Sequence, residues 1–202
     1  MDLTLWLAFV AAAVVMLIIP GPTILLVIGQ SLGGGARNAL PLVAGVALGD
    51  LTAMTLSLAG MGALLAASAT AFTVVKWAGA AYLVWLGVRM WRAPVTAEAA
   101  PPLRASRALR EAWLVTALNP KGIVFFVAFV PQFINAARAF MPQAAILVAT
   151  FVTMAAANAL VYAMLASRLS ATVRRPDLRR LVNRIGGSVL MAAGFAIALR
   201  RA

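Results

Sequence analysis

Four features of this 202-residue chain place polar or helix-breaking groups inside long apolar runs: Pro20-Gly21-Pro22, Asp50, Asn119-Pro120-Lys121 and Asn158. The first interrupts a stretch that carries no charge between Asp2 and Arg37. Two prolines around a glycine remove backbone donors and favour a break in a helix. Asn119-Pro120 repeats the device just ahead of Lys121. An ionised side chain at the centre of a bilayer costs about 2.5–3.5 kcal/mol on insertion scales, so Asp50 and Lys121 should face a cavity or each other. Broken helices at membrane depth are where secondary transporters place binding sites, because the freed backbone groups must meet something polar. The plainer readings are a tolerated kink and a buried Asp50–Lys121 ion pair, which need not stabilise the fold.

These groups suit the binding and release of a small zwitterion better than bond-making. Half-helix N-termini beyond the breaks could receive a carboxylate, and Lys121 could add its charge to that end. Asp50 could hold an ammonium, or take up a proton in exchange for substrate. The chain has no histidine and no cysteine. Ser-His-Asp and Cys-His chemistry, disulfides and thiolate metal sites are therefore excluded, and no enzyme, metal or cofactor is expected. Depth supports a common site. Asp50 and Lys121 lie about ten residues from the inner ends of their spans, about 15 Å deep at 1.5 Å per residue. Pro22 and Asn158 lie at about the same depth by the same rise per residue.

The elements that must position these groups follow from composition. The chain is 64% hydrophobic and only 11% charged, with a mean hydropathy of +0.99. That describes an integral membrane protein with room for about six helices. The expected class is all-α, with spans at 3–30, 39–67, 70–92, 112–136, 143–167 and 184–200. Helices two and three, joined near Ser68–Thr70, should be antiparallel neighbours. Residues 93–111, rich in Pro, Ala and Arg, read as a cytoplasmic linker between a first half (1–92) and a second (112–202). An odd number of spans per half puts the halves in opposite orientations, as in an inverted repeat whose helices one and four are broken.

The net charge of +12 would suggest nucleic acid in a soluble protein. Here the arginines fall between apolar runs and read as orientation signals and lipid-headgroup contacts, with no nucleic acid implied. Arg37, Arg89, Arg92, Arg104, Arg107, Arg110, Arg168, Arg174, Arg175, Arg179, Arg180 and Arg184 fall on one side, with Lys76, Arg138, Arg200 and Arg201 on the other. The bias places both termini outside a bacterial inner membrane. Gly45 and Gly49 form a GxxxG one turn before Asp50, which reads as helix packing. Trp77, Tyr82, Trp85, Trp91 and Trp113 read as interfacial anchors. Small-residue faces would permit a homodimer.

The residues also match a family pattern. The chain resembles the LysE/RhtB amino-acid exporters over nearly its whole length. The resemblance rests on Pro20-Gly21-Pro22, Gly45 through Asp50, and Lys76-Trp77-Ala78-Gly79-Ala80-Ala81-Tyr82-Leu83. Its strongest block runs from Leu118-Asn119-Pro120-Lys121 through Phe125-Phe126 to Phe129-Val130-Pro131-Gln132-Phe133, and Asn183-Arg184-Ile185-Gly186-Gly187 with Gly194 completes it. Ala112 stands where the family often has glycine. The resemblance implies efflux of amino acids or close derivatives across the inner membrane, driven by protons. With one acid and one amine at the site, a neutral amino acid fits better than a basic one. The competing readings are an exporter of metal or other small ions, for which the ligands are poor, and a membrane scaffold without transport.

Overall fold

The structure, a computed structural model, describes residues 1–34, 39–67, 69–92, 103–168 and 176–199. Of the residues named above, Arg37, Ser68, Arg174, Arg175, Arg200, Arg201 and most of the linker lie outside the described residues, as do the side chains of Lys76, Arg179 and Asn183. Every regular element described is helical. In order they are α1 (Leu3–Ile18), α2 (Pro22–Gly34), α3 (Ala39–Ala67), α4 (Ala69–Trp91), α5 (Ala105–Ala117), α6 (Pro120–Val124), α7 (Phe140–Arg168) and α8 (Pro176–Leu199). α6 runs on through a π-turn at Phe125–Phe129 and a 3-10 turn at Val130–Phe133.

Asp2 starts α1 as its N-cap, its carboxylate accepting from the Thr4 N–H at 2.8 Å. The two expected breaks are present. α1 and α2 are bent by 52° and the α5–α6 pair by 41°. Two boundaries differ from expectation. The fourth expected span begins at Ala105 rather than 112, so the expected linker includes the first turns of α5. Its buried residues Ala108, Ala112 and Thr116 recur every fourth position, the spacing of one helix face. The last helix begins at Pro176 rather than 184, with Asp177 in its first turn.

By length and hydropathy α3 and α7 can each cross a membrane, and each bent pair qualifies as one span. Large apolar side chains such as Leu7, Leu40, Leu56, Val74 and Leu165 are exposed on the outer surfaces, which suits lipid rather than water. With lipid outside, close association rests on small residues that let backbones approach. A Cβ on Gly45 would collide with the Leu109 carbonyl oxygen of α5, and one on Gly49 would lie 2.8 Å from the Trp113 carbonyl oxygen. The GxxxG is thus a packing surface, with Ala112 seated against Gly45. α4 and α8 meet the same way: Gly87 and Gly187 each face the other's carbonyl.

The interior is divided into two apolar clusters. One, rich in rings, gathers Phe9, Met54, Phe125, Phe126, Phe133 and Phe151. The other is built of smaller side chains, including Val27, Val46, Ala108, Ala112, Ala159 and Ala163. Along α3, Asp50 falls between Val46 of the second cluster and Ala53 of the first. Along α5–α6, Thr116, Asn119 and Lys121 fall between Ala112 and Phe125 in the same way. The polar layer therefore lies where both broken helices change direction.

Candidate functional site

A helix that stops inside an apolar medium leaves the carbonyls of its last turn without partners. α1 stops at Ile18 because Pro20 and Pro22 cannot supply the next amide hydrogens. Each carbonyl at that end accepts a side-chain donor from the second half of the chain. Lys121 Nζ donates to Met16 O at 3.0 Å and also to Ile19 O. Asn158 Nδ2 donates to Leu17 O at 3.1 Å, and the Tyr162 hydroxyl donates to Ile18 O at 2.7 Å. A cation at a helix C-terminus is favoured by the helix dipole as well as by these bonds.

Beyond the break, Thr23 joins the second broken helix. Its Oγ1 accepts from Asn119 Nδ2 at 3.1 Å and from Thr116 Oγ1 at 3.2 Å. Asn119 Oδ1 accepts from the Lys121 backbone N–H at 3.1 Å, making Asn119 the N-cap of α6. Pro120, as first residue of that helix, forfeits no bond by lacking a donor. The two breaks are thereby tied together by side chains of Thr23, Thr116, Asn119 and Lys121.

Between them is a cavity of about 40 Å³. Its polar wall is Thr23, Asp50, Asn119, Lys121 and Asn158, and its apolar wall includes Ile24, Val46, Phe151 and Ala155. Gly21 also lines it, with a Cβ there falling 3.4 Å from Lys121 Cδ. Asp50 is only 8% exposed. Among the described residues it accepts no hydrogen bond and forms no ion pair within 4.0 Å. Lys121 lines the same cavity without pairing to it within 4.0 Å.

Asp50, Lys121 and Asn158 thus come together as their depths suggest, and Gly21 and Asn119 line the same cavity. Pro20, Pro22 and Pro120 are not in the cavity wall, and Pro22 and Pro120 are exposed. These prolines shape the backbone and do not present a surface. The alternative of a direct Asp50–Lys121 ion pair is not what the chain builds, because the ammonium is drawn to the end of α1 instead. Thr23, Thr116 and Tyr162 escaped the sequence reading. Tyr162 follows Asn158 by four residues, one turn on the same face, and Thr23 directly follows the broken motif, so both carried a signal. At the start of α6 the Asn119 side chain takes the Lys121 N–H, and Gly122, the next residue, lines the cavity.

These features define an α-helical membrane protein whose two broken helices enclose a polar site amid apolar packing. The chain belongs to the LysE type translocator family, which it matches over residues 14–201. It is 40% identical to an uncharacterized membrane protein of Vibrio cholerae, with all of both chains covered. It is 33% identical to a homoserine/homoserine lactone efflux protein of Salmonella typhimurium over 97% of each chain. It is 34% identical to a leucine efflux protein of Klebsiella pneumoniae, over 64% of this chain and 63% of that one. No solved structure matches it.

Proposed function

We propose that this chain exports neutral amino acids or close derivatives from the cytoplasm across the bacterial inner membrane, in exchange for protons. The observation that carries the reading is Asp50, buried at the junction of both breaks, facing a cavity and accepting no hydrogen bond among the described residues. A carboxylate in that position can hold a proton or an ammonium, but not both, so occupancy by one excludes the other. That exclusion couples the two fluxes. The named efflux relatives support an exporter of amino-acid-like compounds. Lys121 is the other ionisable group in the cavity wall. With no second acid in that wall, a cationic side chain finds no partner, and a neutral one meets Ile24, Val46 and Phe151.

A cavity of about 40 Å³ is well below the roughly 150 Å³ that admits a molecule the size of benzene, so the site must widen for an amino acid to enter. Six crossings in two oppositely oriented halves would allow this by rocking one half against the other. The ties between Lys121, Asn158, Tyr162 and the end of α1 are the contacts that such rocking must strain. The test is export from proteoliposomes over a panel of amino acids that includes leucine and homoserine, with and without an imposed pH gradient. Gradient-dependent export of a neutral member is expected, and Asp50→Asn should abolish it while the protein still inserts and purifies. Normal export by that variant, or none by the parent, would overturn the reading.

A further inference from the structure

We infer that the end of α1 is a site for a small monovalent cation, and that the chain fills it with its own Lys121 ammonium. This goes beyond the export reading and does not rest on it. Pro20 has no N–H to give Met16 O, and Pro22 none to give Ile18 O, where a continuing helix would pair them. Four successive carbonyls at this end take side-chain donors instead. Leu17 O and Ile18 O receive one neutral donor each, an amide and a hydroxyl. Met16 O and Ile19 O converge on a single atom, and that atom is charged.

Convergent backbone carbonyls at the C-terminal end of a half-helix are the ligands with which carriers and channels replace the water around a monovalent ion. The dipole of α1 favours positive charge there. Met16, Lys121 and Asp50 line one cavity, so its wall carries a carboxylate as well as the carbonyls. Lys121 is buried, and among the described residues its ammonium has no hydrogen-bond partner besides these two carbonyls. It is held as a dehydrated ion is held, by backbone oxygens, with no carboxylate within 4.0 Å among the described residues. Because Lys121 belongs to α6 and the carbonyls end α1, the tethered cation also joins the two broken helices.

The test shortens Lys121 and offers an ion in its place. Lys121→Ala opens the space beside Met16 O and Ile19 O, whereas Lys121→Met fills it with an uncharged chain of similar length. Both remove the ammonium from the cavity that Asp50 lines, so a sodium effect centred on Asp50 would appear in both alike. Each variant and the parent are extracted and melted in detergent, in sodium chloride and in choline chloride of equal ionic strength. Sodium should raise the melting temperature of Lys121→Ala by about 3 °C or more over choline, and should leave Lys121→Met and the parent unchanged. The yield of monodisperse protein in each salt is a second readout, which stands even where the choline preparation unfolds. No difference between the salts for Lys121→Ala in either readout would overturn the inference. An equal rise in Lys121→Met or in the parent would overturn it too, by placing the ion elsewhere. Both results leave the export reading standing.

Discussion

Lys121 and Asp50 share a cavity, yet removing them should have opposite effects on stability. Lys121 partners two carbonyls at the end of α1. Lys121→Met leaves both unpaired away from water, at about 1–3 kcal/mol for each buried group left unsatisfied. A clear fall in melting temperature is expected by scanning fluorimetry in detergent. Tyr162→Phe gives up a single bond to Ile18 O, so its loss should be smaller, about 0.5–1.5 kcal/mol. Asp50→Asn breaks no bond among the described residues and removes a buried charge, so its melting temperature should match or exceed that of the parent. A Lys121→Met protein as stable as the parent would refute the capping role. The depth of both groups could be read from the chain because charge in an apolar run is conspicuous. Their separation could not. Depth counts residues along a helix and says nothing of which neighbour's carbonyls lie closer, and an ammonium chooses by that distance.

Between elements, the glycines divide by what surrounds them. Gly45 and Gly49 press against the backbone of α5, whereas Gly29 and Gly60 have nothing within 4 Å of a Cβ. Gly45→Ala forces α3 away from α5, and since Asp50 and Thr116 sit on those two helices, it also distorts the site. The expected result is a large loss of monodisperse protein on size-exclusion chromatography. Gly60→Ala should be neutral or slightly stabilising, because alanine improves on glycine in a helix interior by up to about 1 kcal/mol. Equal behaviour of the two variants would show that the α3–α5 approach is not needed. The breaks were legible because proline announces itself, and the GxxxG because small residues recur four apart. The start of α5 was not. Ala108, Ala112 and Thr116 do mark a buried face, but Arg104, Arg107 and Arg110 beside them give the segment the composition of a solvated linker. Arg107 in fact pairs with Glu111 at 2.7 Å, one turn along the same helix.

At the scale of the whole molecule, the proposed inverted repeat would relate the two halves by an approximate two-fold axis. α3 packs along α5, and α7 packs along α1 and α2. Exchanging the halves, span for span, turns the first of these contacts into the second. The α4–α8 and α3–α7 contacts map onto themselves under the same exchange. We propose that the halves lie in opposite orientations, with the N-terminus outside as the arginine bias suggests. The assignment is testable on a background free of interference, since the chain has no cysteine. Ala137 lies in the exposed turn between the end of α6 and α7, and Ser106 lies exposed in the first turn of α5. The two positions sit at opposite ends of the α5–α6 span. Ala137→Cys should react with a membrane-impermeant maleimide on intact cells. Ser106→Cys should react only after permeabilisation, or in inverted vesicles. The converse labelling would turn the whole molecule over and overturn the orientation read from the arginine bias. Labelling of both from one side would mean that α5–α6 does not cross, and the two-fold arrangement of the halves would fall with it.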